Sequence, residues 1–187
     1  KAHFFNSFFY ELLSKKGRGY DYGRVRKWTR RFNLFEKEKI FIPIHLGTHW
    51  CMAVINLLQK RFEYFDSLGH ENHKCLQRLR RYLQDEYADK HDGATLDLSQ
   101  WRDYSPTDIP QQENGYDCGV FACQYAAFAV NKTMVAQAER QKRSHPFTFA
   151  QQDMVDFRCR MMLEILDADE RKPVSNADHS DEDDDSS

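Results

Sequence analysis

The sequence is poor in several features that would assign it to a class at once. It has only five cysteines among 187 residues. Cys51, Cys75, Cys118, Cys123 and Cys159 are odd in number and lack Cys-x-x-Cys spacing, which argues against a disulfide framework or a structural zinc site and for a reducing compartment. No apolar run approaches the length of a membrane-spanning helix, and the start lacks a signal-peptide pattern. The Asn131-Lys132-Thr133 sequon is therefore read as chance, and the chain as intracellular and soluble. Net charge is also small, -2. That average hides an acidic end, Asp178, Asp181, Glu182, Asp183, Asp184 and Asp185, which leaves a body of about +4. His70, His73 and Cys75 lack a fourth ligand and read as a polar turn, so no metal is expected.

Aromatic residues are plentiful, at 14%, as in one packed domain. Phe4, Phe5, Phe8, Phe9, Leu12 and Leu13 recur at helical spacing and predict an opening amphipathic helix, ended by Gly17 and Gly19. Val25, Trp28 and Phe32 predict a second, short helix decorated by Arg24, Arg26, Lys27, Arg30 and Arg31. The near-continuous apolar runs Ile40–Ile44 and Trp50–Ile55 predict strands buried on both faces, and Arg61–Phe65 the next strand. A helix is expected over Lys74–Glu86, with Cys75, Leu76, Leu79 and Leu83 on one face, and a short strand over Trp101–Tyr104.

After Cys118 comes a segment apolar nearly all round, hence a central helix. Cys51, Cys123 and Cys159 read as core residues. A polar connection is expected over Asn131–Pro146. The last helix is predicted to start at Thr148-Phe149-Ala150-Gln151, with Met154, Phe157, Met161 and Ile165 facing the core. Strands in the middle and helices at both ends make the class α+β. Residues 1–167 read as the domain and 168–187 as a disordered acidic tail.

The chemistry concentrates at Pro110–Gly119, where a glutamine-bearing loop runs through Cys118 into the central helix. Thiolate is the attacking species of a cysteine nucleophile, and a helix N-terminus and an adjacent imidazolium both favour it. His49, at the mouth of one strand, is the candidate partner. Asp66, at the end of the next, would fix the imidazole's tautomer and orientation. Gln112 can aim an N–H at a developing oxyanion, aided by the Cys118 backbone N–H. Gly115 and Gly119 let the loop turn and a substrate backbone approach. Trp50 offers a flat wall. Each residue has a plainer reading: a core cysteine, a capping histidine, a turn aspartate. Together they support a Cys-His-Asp hydrolase without naming a substrate.

Five segments in order resemble the Ulp/SENP family of SUMO-specific cysteine proteases. They are Phe5-Asn6-Ser7-Phe8-Phe9-Tyr10, Val25-Arg26-Lys27-Trp28-Thr29, Ile42 through Cys51, Tyr64-Phe65-Asp66-Ser67-Leu68-Gly69, and Ile109-Pro110-Gln111-Gln112 through Asp117-Cys118-Gly119. The resemblance covers the chain to about residue 167 and implies a papain-like fold: a central mixed β-sheet flanked by helices, with the nucleophile at the N-terminus of a central helix. It implies His49, Asp66 and Cys118 as the triad and Gln112 in the oxyanion hole. Trp50 would roof a narrow tunnel over the modifier's Gly-Gly, Gly119 would border it, and His45 would line the leaving-group side.

The implied activity is SUMO maturation and hydrolysis of SUMO–lysine isopeptide bonds through a thioester, without a cofactor. Expected partners are SUMO precursors and SUMO-conjugated proteins, with no obligatory nucleic acid and no membrane span. The chain is expected to be a monomer residing in the nucleus, with the cytoplasm as a second location. Family domains begin upstream, with a segment bearing a Trp-Leu-x-Asp motif, so the chain reads as N-terminally truncated. Two other readings stay open: a catalytically impaired SUMO-binding fragment, and a protease for another ubiquitin-like modifier. A third, nucleic-acid binding through Arg24 to Arg31, predicts strongly salt-dependent association.

Overall fold

A computed structural model of the chain describes residues 1–16 and 18–170. Five strands form one mixed sheet in sequence order: β1 (Ala2–Phe4), β2 (Lys39–His45), β3 (Trp50–Asn56), β4 (Arg61–Phe65) and β5 (Arg102–Tyr104). The inner pairs β2/β3 and β3/β4 are antiparallel, and the edge strands β1 and β5 pair in parallel. The β-branched and aromatic runs that predicted the inner strands are buried on both faces, as the sequence indicated. Ile40, Ile42, Ile44, Cys51, Ala53, Ile55, Phe62 and Tyr64 join Phe5, Phe9, Leu76 and Leu79 in one core. Phe5 lies just before α1 (Phe8–Leu13), which supplies Phe9, and Leu76 and Leu79 come from α2 (His73–Lys90). On the opposite face, Phe65 of β4 meets Tyr125 of α3 (Cys118–Val130), with ring centroids 5.8 Å apart. Helices covering both sides of a mixed sheet give the expected α+β architecture, with Cys118 opening the helix that packs on β3.

The ends differ from the sequence reading. The opening helix is shorter than its apolar spacing predicts, because residues 2–4 are drawn into parallel pairing with β2. Phe4 there stacks on Phe41 at 4.6 Å. Phe5 and Phe9 keep the helical spacing and stack at 3.9 Å, while Phe8 stays exposed. Gly17, expected to end the helix, lies outside the described residues. Val25, Trp28 and Phe32 lie on or beside 3-10 turns, Tyr22–Arg24 and Arg26–Thr29, rather than on an α-helix. The expected polar connection contains α4 (Lys132–Arg140), whose first turn is capped by Asn131 accepting N–H bonds from Thr133 and Met134. Asn131 is thus a helix cap that the sequence reading passed over.

The cap expected at Thr148 moves two residues on, to Ala150. Phe147 and Phe149 alternate inward in an extended run, and the 3-10 turn Gln151–Asp153 begins only after Ala150. The Ala150 N–H donates to Asp153 Oδ2 at 2.8 Å. The chain divides into two units, Lys1–Met154 and a second that starts at Val155. In α5 (Met154–Glu170), Met154 is buried and Phe157 and Met161 are half-buried, whereas Ile165, expected to face the core, is exposed. Cys123 and Cys159 are also exposed rather than core. Cys123 lies with Ala127 and Val130 on a stripe of α3 left exposed by the described residues. The helix extends past residue 167, and residues 171–187 of the acidic tail lie outside the described residues.

Candidate active site

In an antiparallel pair, the start of one strand lies beside the end of its neighbour. His49 immediately precedes β3 and Asp66 immediately follows β4. Strand pairing therefore brings together two residues separated by two strands and a turn, and His49 Nε2 lies 2.6 Å from Asp66 Oδ1. Asp66 is only 3% exposed. The same carboxylate oxygen accepts the Leu68 N–H at 2.8 Å, so the acid is held from its own backbone as well. The turn that permits this runs through Gly69 at φ +73, where a Cβ would also come within 3.0 Å of Gln111 Nε2. With Nε2 committed to the acid, Nδ1 is the ring nitrogen left for proton exchange with a second group.

Cys118 is the first residue of α3 and 6% exposed. Its sulfur sits where the helix's unpaired N–H groups place partial positive charge. Next to it, a Cβ added to Gly119 would lie 3.8 Å from Trp50 Cδ1, so the residue after His49 and the residue after Cys118 face one another. His45 pairs with Trp50 across the β2/β3 ladder and stacks on it, centroids 4.3 Å apart and planes 24° from parallel. The indole is thereby braced as a wall beside Gly119.

The Gln112 carboxamide is fixed at both ends. Its Oε1 accepts the Ser67 hydroxyl at 2.6 Å and its Nε2 donates to the Asn114 carbonyl at 2.5 Å. The Gln112 backbone N–H also donates to the Ser67 carbonyl at 2.9 Å. An amide NH2 has two donors, so one remains for an oxyanion. The Asp66-Ser67 pair thus aims both functional side chains, the imidazole through Asp66 and the carboxamide through Ser67. The structure bonds His49 to Asp66 and Gln112 to the adjacent Ser67, and it sets Gly119, the residue after Cys118, against Trp50, on which His45 stacks.

Sequence reasoning missed Ser67, Asn114 and Gln151. Asn114 Oδ1 accepts the N–H groups of Tyr116 and Asp117, and its Nδ2 donates to Asp117 Oδ2 at 2.7 Å. A local Asx turn of this kind is legible in an Asn-Gly pair. Cys51 also proves to be more than core filling. Its sulfur lies with ligand atoms of His49 and Asp66, all within 4.8 Å of one another, a donor set that could in principle hold a metal ion. Burial pushes its thiol pKa up, with Tyr64 opposing and the Asp66 charge adding to the rise. A protonated thiol is a poor ligand, and Asp66 is already committed to His49 and Leu68, so the cluster fits hydrogen bonding better than metal binding.

Residues 1–172 match the Ulp1 protease family, C-terminal catalytic domain. The chain is 41% identical over 170 residues to ubiquitin-like-specific protease 1A of Arabidopsis thaliana, covering 89% of this chain and 31% of that protein. It is 41% identical over 166 residues to human sentrin-specific protease 2, covering 88% and 25%. The chain therefore spans about a quarter to a third of these relatives. Among solved structures, the Ulp1 protease domain in complex with Smt3, the yeast ortholog of SUMO, superposes with a TM-score of 0.60 at 30% identity, over 84% of this chain and 64% of that one. A SUMO protease Ulp1 with its catalytic cysteine oxidised to a sulfonic acid gives a TM-score of 0.64 at 30% identity, over 91% and 71%. On the matched domain and on these relatives, the chain belongs to the Ulp1 protease family.

Proposed function

We propose that the chain is a SUMO-specific cysteine protease that cuts after the modifier's terminal Gly-Gly, in precursors and in SUMO–lysine conjugates. The observation that carries this reading is the His49–Asp66 pair, 2.6 Å apart with the carboxylate buried, whose Asp66 adjoins the Ser67 that anchors the Gln112 loop leading to Cys118. Family membership and relatives named for SUMO or sentrin support the substrate class.

The reaction follows from these placements. His49 Nδ1 takes the Cys118 thiol proton, while Asp66 holds Nε2–H and stabilises the imidazolium. The sulfur attacks the terminal glycine carbonyl. Charge on the tetrahedral oxygen is met by Gln112 Nε2–H and by the Cys118 backbone N–H. His49 then gives its proton to the departing lysine amine, and the C–N bond breaks to leave a thioester on Cys118. Water, deprotonated by His49, attacks the thioester. Collapse releases the glycine carboxylate, and the thiol recovers its proton.

With Trp50, braced by His45 and facing Gly119, as one wall of the substrate path, residues without side chains would pass most easily, and specificity would arise from steric exclusion. We also propose residues 1–167 as the catalytic domain, a monomeric state and nuclear residence. The test is covalent labelling by SUMO bearing a C-terminal electrophile, with a ubiquitin probe and Cys118→Ala as controls. SUMO-selective labelling lost in Cys118→Ala is expected. SUMO binding without labelling would favour an impaired binding module, and labelling by another modifier would change the substrate.

A further inference from the structure

We propose that Gln151 is a positioning residue that straps the catalytic loop at both ends, fixing the oxyanion donor Gln112 relative to Cys118. The proposal rests on the protease reading above. The Gln151 carboxamide bridges the loop: Oε1 accepts the Glu113 N–H at 2.9 Å, and Nε2 donates to Asp117 Oδ2 at 2.7 Å. Glu113 directly follows Gln112, and Asp117 directly precedes Cys118. One side chain, distant in sequence, therefore contacts the neighbour of each group whose spacing the oxyanion step depends on.

The anchor is itself held. Phe147 and Phe149, just before Gln151, pack on Tyr125 of α3 with centroids 4.9 and 5.7 Å away. The Tyr125 hydroxyl in turn donates to the carbonyl of Pro110, where the loop begins. The 3-10 turn under Gln151 is closed by the Asp153 N–H bond to the Ala150 carbonyl at 3.1 Å. At the far end, Asp117 is 3% exposed, and Oδ2 takes both the Asn114 and the Gln151 amides. A buried carboxylate that loses one such donor shifts toward water or another donor, and Glu113 N–H loses its acceptor at the same time. Both changes move the loop, and neither touches His49 or Asp66.

Gln151→Met keeps length and volume while removing both bonds. The expected result is a fall in kcat of about 10-fold with KM within about 2-fold, since a misplacement near 1 Å costs rates of this order or more. Alkylation of Cys118 by a small haloacetamide, which needs no oxyanion hole, should stay within about 2-fold of wild type. In a Gln112→Ala background, Gln151→Met should cost less than about 3-fold, because its effect runs through Gln112. Amide exchange at Glu113 should accelerate, and this reading requires no substrate.

A parallel fall in alkylation and kcat would mark a merely structural role and overturn the proposal. So would a change in KM alone, a full effect persisting in Gln112→Ala, or unchanged exchange at Glu113. If Gln151→Met is too unstable to assay, Gln151→Glu, which keeps only the Glu113 acceptor, must show the same split between kcat and alkylation. Failure of the wild-type chain to cleave any SUMO substrate would instead count against the protease reading, with the Glu113 exchange rate still deciding whether the strap exists.

Discussion

Asp66→Asn isolates charge from geometry at this site. The bonds from His49 Nε2 and from the Leu68 N–H fall on Oδ1, while Oδ2 lies 3.6 Å from His70 Nδ1. An asparagine can place its carbonyl oxygen there and keep the imidazole tautomer and direction, with its NH2 where Oδ2 was. The main loss at His49 is the negative charge; the contact of Oδ2 with His70, 72% exposed, is screened by water and adds little. Opposite charges about 4 Å apart interact by about 4 kcal/mol at an effective dielectric of about 20, an upper limit for the imidazolium's loss. The difference between a charge-assisted and a neutral hydrogen bond, about 1 kcal/mol, is the lower limit. A middle value of about 2 to 3 kcal/mol corresponds to a fall in kcat/KM of roughly 30- to 150-fold. Asp66→Ala also orphans the His49 and Leu68 donors, so it should fall at least about 10-fold further. Steady-state cleavage of a fluorogenic SUMO C-terminal substrate, with melting temperatures as a control for folding, reads both variants. Asp66→Asn within about 3-fold of wild type, or equal to Asp66→Ala, would refute the claim that the acid's charge assists His49.

Gln112→Ala should lower kcat by about 100-fold or more, the usual cost of one oxyanion donor, while Cys118 alkylation is retained; equal losses in both would contradict its role. Gly119→Ala has room, with Trp50 Cδ1 3.8 Å from the new Cβ, so melting temperature should hold or rise while SUMO cleavage falls; undiminished cleavage would argue against a tunnel there. Burial pushes the Cys75 thiol up to about 12, and an unfolded thiol ionises near about 8.5. The unfolded state thus holds fewer protons between those values, and stability should fall with rising pH by about 1.4 kcal/mol per unit for this group. Denaturant titrations from pH 8 upward should show the slope, and Cys75→Ala should reduce it. Thr29→Val should destabilise by about 1 to 3 kcal/mol by removing the hydroxyl that Glu86, fully buried, accepts from Thr29; a neutral result would show that Tyr22 and water suffice.

What was legible in the sequence is what periodicity and local chemistry encode. The inner strands announce themselves as β-branched runs, and α3 as an apolar segment following a Gly-flanked cysteine. Because β3 and β4 are neighbours joined by a short turn, reading their ends was enough to pair His49 with Asp66. The errors came where tertiary pairing overrode helical spacing, as when β2 recruited Ala2–Phe4, and where a cap was overlooked, as at Asn131.

The orientation of Gln112 was not legible, for a physical reason. Its carboxamide is aimed by Ser67, 45 residues earlier, and its loop is tied by Gln151, which bonds Glu113 from 38 residues later. A single glutamine or serine carries no periodic or capping signature that points to a partner so far away. The turn after β4 and the run before α5 each had to fold against α3 before those side chains could meet the loop. Such contacts also predict an order of loss. The His49–Asp66 pair is held by the sheet ladder, whereas the Gln112 loop is held by side chains from two separate segments. Partial destabilisation should therefore uncouple the oxyanion donor before it separates the dyad, with kcat falling while Cys118 still reacts with a small alkylating agent. Loss of alkylation first, in low denaturant, would show that the sheet and not the loop is the weaker support.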